Sequence, residues 1–233
     1  MPSVSPTVVL VHGAWADGSS RTKVISLLLS RGMSVIAAQI PLTSIEEDTA
    51  ATKRIIADAP GPVILVGHSW GGMAITQTGS DPKVAALVYV SAFGPDIGET
   101  GSSLIGAHPA PPALSTTVTD KAGFVRLTRE GVLKNMAPDI PVAEAEVLAV
   151  TQGPLAGKTF GQSVTMAAWK IKPSWFIVTA DDRVVHPDLQ AAEVRRMDAK
   201  TTILRSSHMS LLSHPTEVAA VIEEASGAVA ARR

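Results

Sequence analysis

Short apolar runs alternate along this chain with stretches of helical periodicity, and glycine, proline or polar clusters punctuate each change. Thr7-Val8-Val9-Leu10-Val11 is β-branched and apolar on both faces, the pattern of a strand buried between two layers. Residues 19–31 carry Val24, Ile25, Leu27, Leu28 and Leu29 and stop at Arg31-Gly32, which predicts an amphipathic helix closed by glycine. Val35 to Ile40 predicts a second strand, ended by Pro41. Thr43, with Glu46 three residues later, predicts a capping box opening a helix with Ile45, Ala50, Ile55 and Ile56 inward. Val63-Ile64-Leu65-Val66 is the third apolar run, Met73 to Thr78 a helix stopping at Gly79, and Val84 to Val90 the fourth strand. After a long interruption the rhythm resumes. Ser174 to Thr179 predicts a strand, Pro187 to Met197 a helix and Thr201 to Leu204 the last strand. Pro215 then opens a terminal helix with Val218, Ala219, Val221 and Ile222 inward.

Six strand–helix alternations predict an α/β fold, with a mainly parallel six-stranded sheet covered by helices on both faces. Ligands of such sheets bind beyond the carboxyl ends of the strands. The interruption, residues 96–169, is rich in proline and glycine, with only weak helical periodicity around Phe124, Val125 and Leu127 and from Val142 to Val150. A structureless loop of that length is rare inside a domain. We therefore expect a core made of residues 1–95 and 170–233, with residues 96–169 inserted as a short, partly helical cap.

Composition narrows the function. The 233 residues carry 20 Lys+Arg against 21 Asp+Glu, a formal charge of -1, with no basic block suited to nucleic acid or an anionic membrane. A small neutral partner fits better. The absence of cysteine removes disulfides, thiolate metal sites and a cysteine nucleophile. No apolar run reaches the roughly 20 residues that span a bilayer. The opening residues lack the charged and apolar segments of a leader, so a cytoplasmic location is expected. No histidine pair with a carboxylate has the spacing of a metal site, and the chemistry reads as free of metal and cofactor.

Gly67-His68-Ser69-Trp70-Gly71 lies directly behind the third strand and ahead of a helix. That is the context of a nucleophile elbow, in which a sharp turn lifts the serine hydroxyl above the sheet. Serine needs a base within reach, and the base needs an acid to fix its tautomer. Of six histidines, only His208 follows the last strand and completes the order serine, acid, histidine. His12 and His68 read as structural contacts, His108 as surface or pocket lining, and His186 and His214 as residues at helix starts. Asp181 and Asp182 both follow the penultimate strand and are both candidates for the acid, with Asp96 the alternative location. The loop His12-Gly13-Ala14-Trp15-Ala16-Asp17-Gly18 places small residues, Gly13 among them, where a ligand can approach backbone N–H groups.

These motifs together resemble the α/β-hydrolase superfamily, and within it the small esterase branch that includes plant methyl esterases, such as the salicylate-binding methylesterase, and hydroxynitrile lyases. The carriers are Val9-Leu10-Val11-His12-Gly13-Ala14-Trp15, Gly67 to Gly72, Ala180-Asp181-Asp182-Arg183-Val184-Val185-His186-Pro187 and Ser207-His208-Met209-Ser210. The resemblance implies Ser69 as nucleophile, His208 as base and Asp182 as acid, with Ala14 and Trp70 N–H groups as oxyanion donors. It implies that Gly13, Trp15, Phe93, Trp169 and Met209 border the substrate. Gly13 and Met209 stand where the lyases typically have a hydroxyl residue and a lysine, which favours hydrolysis. Arg21 departs from the pattern, standing where relatives often have tryptophan. The expectation is a serine hydrolase that cleaves small carboxylic esters through an acyl-enzyme, with a homodimer left open. A hydroxynitrile lyase or cofactor-free C–C cleaving enzyme, and a non-catalytic small-molecule receptor, are the alternatives.

Overall fold

In the computed structural model, which describes residues 5–231, Thr7–Val11 (β1) leads through a 3₁₀ turn into Thr22–Ser30 (α1). Residues 1–4, read above for a leader, lie outside that range. Ser34–Ala38 (β2), Ile45–Asp58 (α2), Val63–His68 (β3), Gly71–Thr78 (α3) and Val84–Val90 (β4) follow. The helix α2 starts one residue later than its sequence suggests. Ser44, extended at φ -166, accepts from Glu47 N at 3.1 Å, while Thr43 turns its hydroxyl to the Glu47 carboxylate. Glu46, Glu47 and Asp48 in the first turn then face the positive end of the helix dipole.

The next segment contains Gly101–Gly106 (α4), Thr117–Thr119 (β5), Phe124–Leu127 (β6), Arg129–Gly131 (α5), Val142–Thr151 (α6) and Leu155–Ala156 (β7). Here one expectation is overturned. Phe124 to Leu127 is the middle strand of a small antiparallel sheet, not helix. A turn from Asp120 to Gly123, with Gly123 at φ 84, folds it back on β5, and four apolar-rich residues were too few to reveal their period. Ser174–Thr179 (β8), Pro187–Met197 (α7), Lys200–Leu204 (β9), Ser210–Ser213 (α8) and Pro215–Ala230 (α9) complete the chain.

The main sheet has six parallel strands in the order β2-β1-β3-β4-β8-β9. Winding starts at β1, goes outward to β2, then reverses through β3, so the switch point lies between β1 and β3. Strand residues divide by the period of two. Val8, Leu10, Ile64, Val66 and Val88 pack with Val24 and Leu28 of α1 and Val218 and Ile222 of α9. Val9, Val11, Leu65, Leu87 and Tyr89 pack on the other face with Ile56, Met73, Ile75 and Leu189. Past their carboxyl ends, β1 to β4 each lead into a non-glycine residue with left-handed backbone: Trp15 (φ 57), Leu42 (φ 60), Ser69 (φ 54) and Ser91 (φ 47). Among the described residues no helix is long and apolar enough to cross a membrane.

Candidate active site

At the switch point the elbow and the loop after β1 meet. A Cβ built on Gly13 would lie 2.6 Å from Ser69 Cβ and 3.1 Å from Ser69 Oγ, so only glycine lets the two loops approach this closely. The imidazole of His12 shapes the same loop. Ile40 N donates to His12 Nε2 at 3.0 Å, which leaves the proton on Nδ1, and Nδ1 donates to Gly13 O at 2.9 Å. Burial, with the nearby Arg21 cation second, pushes the His12 pKa down to about 4 and keeps the ring neutral. Gly13 O and Ala14 N–H belong to one planar peptide, so fixing the carbonyl aims the N–H the opposite way. Neither Ala14 N–H nor Trp70 N–H donates to an acceptor among the described residues, and both residues line the cavity at Ser69.

Burial separates the two aspartates that the sequence left equal: Asp181 is exposed and Asp182 is 4 % exposed. Asp182 Oδ1 accepts from the N–H groups of Val184 and Val185 at 2.8 and 3.0 Å. Its Oδ2 accepts from Thr179 Oγ1, Gln190 Nε2 and His208 Nδ1, each at 2.9 Å. Donation from Nδ1 to the carboxylate leaves Nε2 of His208 as the acceptor, and that atom is buried without a partner. The Ser69 hydroxyl is therefore not bonded to it in this closed arrangement. The His208 ring lies 4.6 Å, centroid to centroid, from that of His68, the residue before Ser69. His68 Nε2 donates to His208 O at 3.0 Å, and burial, then the neighbouring His208, lowers the His68 pKa well below its ordinary value. On the far side Asp139 accepts from Ser207 N at 2.8 Å and from the Ser207 hydroxyl, tying the His208 loop to the inserted segment.

Ala14, Trp15, Ser69, Trp70, Phe93, Ile105, Leu114, Phe160 and Val184 enclose a cavity of only about 20 Å³, room for roughly one water molecule. Trp15 and Phe93 thus line the cavity that Ser69 opens into. Trp169 is elsewhere: its indole N–H donates to Pro95 O at 2.8 Å, and the ring sits under Lys170 and Arg196, away from the cavity lining. Met209 is fully buried in the apolar core and does not line the cavity either. Four lining residues were missed: Val184, which follows the acidic loop, and Ile105, Leu114 and Phe160, which belong to the inserted segment, whose short apolar stretches carry no positional signal.

The inserted segment is bonded around the rim. Trp15 N donates to Gly153 O at 3.1 Å and its indole to Val125 O at 2.9 Å; Ala156 N donates to Leu42 O at 2.9 Å. Arg21, the departure from the family pattern, is 1 % exposed and has one bond, to Ala38 O at 3.3 Å. Its Nε and Nη1 are without partners, and burial pushes its pKa down to about 9.

Residues 8–221 match the model of the alpha/beta hydrolase family, and the chain belongs to that family. Within it, the chain resembles the plant methylesterase-like branch: it is 25% identical to Methylesterase 3 of Arabidopsis thaliana over 248 residues, 93% of this chain and 94% of that protein. A carbendazim hydrolyzing esterase of Nocardioides sp. is 37% identical over 123 residues, 46% of this chain and 50% of that protein. The crystal structure of the pyrethroid hydrolase PytH superposes with TM-score 0.83 at 25% identity, covering 97% of this chain and 99% of that one.

Proposed function

We propose that this protein is a serine hydrolase of small, uncharged carboxylic esters, with Ser69 as nucleophile, His208 as base and Asp182 as its orienting acid. The observation that carries the reading is the buried pair at 2.9 Å between Asp182 and His208 Nδ1, which leaves Nε2 unpartnered beside the elbow. In the reaction Ser69 Oγ attacks the ester carbonyl carbon as its proton passes to His208 Nε2. The resulting oxyanion receives the N–H groups of Ala14 and Trp70. Collapse returns the proton to the leaving alcohol, and a water deprotonated by His208 then releases the acid from the acyl-enzyme. No charged side chain lines the cavity, which favours neutral, apolar substrates. The kinship with proteins named for hydrolysing carbendazim and a pyrethroid supports hydrolysis.

Ser69→Ala is expected to abolish turnover of p-nitrophenyl acetate and fluorophosphonate labelling while leaving the circular dichroism spectrum unchanged. Retained turnover in that variant overturns the assignment. Mandelonitrile cleavage faster than ester hydrolysis by the unaltered protein replaces it with the lyase alternative.

A further inference from the structure

Trp70 does more than follow the nucleophile. Its indole forms one wall of the cavity, edge-on to Phe93 (centroids 6.2 Å apart, planes at 73°) and to Phe160 (5.4 Å, 70°). Both ends of that ring are held. At one end Nε1 donates to Asp48 Oδ2 at 3.1 Å. Asp48 is fully buried in α2, and its other oxygen accepts from Leu42 N at 2.7 Å, in the turn whose carbonyl receives Ala156 of β7. At the other end the six-membered ring abuts Gly101, the first residue of α4. A Cβ there would come within 2.9 Å of Trp70 Cζ3 and 3.3 Å of Phe160 Cδ1. A carboxylate facing the apolar side of a helix is costly unless its bonds repay the lost hydration. Asp48 spends both oxygens on fixing the wall and its neighbouring turn.

We propose that Asp48 and Gly101 clamp the Trp70 indole so that it cannot turn aside, and that Asp48, acting through Trp70, is a positioning residue that restricts the site to esters with short acyl groups. The inference rests on the ester-hydrolase reading above and deepens it by naming the acyl class. A wall free to rotate would enlarge the space of about 20 Å³ beside Ser69; a wall pinned at both ends transmits its size limit to the substrate.

The test measures kcat/KM for p-nitrophenyl acetate, butyrate and hexanoate, which share one leaving group, in the unaltered protein, D48A, W70F and D48A/W70F. The unaltered protein should prefer acetate. D48A should raise the hexanoate-to-acetate ratio roughly tenfold, the discrimination a few methylenes can carry. W70F, which fills most of the same space but lacks the N–H, should shift the ratio in the same direction. Adding D48A to W70F should then change the ratio by less than about twofold, since the two act through one bond. A D48A effect that lowers all three esters equally, or that persists undiminished on the W70F background, overturns the clamp. So does an unchanged ratio in W70F, which decides the matter even if D48A does not fold. If the unaltered protein turns over none of the esters, the hydrolase reading itself fails, a result distinct from turnover with unchanged selectivity.

Discussion

The surroundings of His208 and the wall opposite Ser69 are neighbours held by different forces. Five donors converge on Asp182, and His208 is fixed from three sides, through its own ring nitrogen, through His68 and through the Asp139 contact to Ser207. The wall has one polar anchor per indole, Val125 O for Trp15 and Asp48 for Trp70, and is otherwise apolar contact. Directional bonds fix positions to tenths of an ångström, as proton transfer requires. Packing fixes only volume and is more readily redrawn by substitution. On the proposed function, the polar half sets whether the reaction runs, and the apolar half sets on what.

Breaking the polar half should have the largest effect. Asp182→Asn puts an amide where His208 Nδ1–H needs an acceptor. The expected loss in kcat on p-nitrophenyl acetate is about 10⁴-fold, the size seen when a triad base is turned to the wrong tautomer. A loss under tenfold would show that the pair does not orient the base. His12→Leu comes next. With Gly13 O released, the Ala14 N–H loses its fixed aim, and kcat should fall roughly 10²-fold with KM little altered. An unchanged kcat would detach the loop after β1 from the chemistry.

The smallest effect concerns stability, on the wall's outer side. Glu193 is 1 % exposed; Oε1 accepts from Gly94 N at 2.8 Å and Oε2 has no partner. Burial pushes its pKa from 4.5 up to about 8, opposed by the Gly94 N–H and Arg196, while Glu99 adds to the rise. A pKa raised by folding means that the protonated form stabilises the native state. The contribution is complete below about pH 4.5 and is lost as pH climbs through 8. Glu193→Gln should remove that loss, so its melting temperature should exceed that of the unaltered protein at pH 9 and match it at pH 5. Equal melting temperatures at both pH values would show that Glu193 is not held protonated.

Much of the scaffold was legible from periodicity alone, because buried parallel strands must be continuously apolar and the helices between them one-sided. Val63 to Val66, then Gly67 to Gly71, placed the elbow without any knowledge of contacts. The proposed acid was legible only as a pair; Asp182 differs from Asp181 in its burial and in its bonds to Thr179, three residues back, and to Gln190 and His208, and the last of these partners is brought to it only by folding. Asp48 left a faint trace, an acid in register with the inward positions Ile45 and Ile56. Ile105, Leu114 and Phe160 left none, since their role depends on how an irregular segment lies over the strand ends. Trp169 misled for the complementary reason: a large aromatic near the rim satisfies packing and a backbone carbonyl as readily as it greets a ligand.

The left-handed residues at the exits of β1 to β4 have a bearing on any attempt to toughen this protein. Each unfavourable dihedral pair costs about 1–3 kcal/mol, and together they curl four loops back toward one another above the sheet. Relieving that tension would make the fold harder to melt and would splay the loops that carry Ser69 and Ala14. Thermal resilience is better sought beneath the opposite layer, under α1 and α9, where aliphatic packing can be tightened without disturbing the curl.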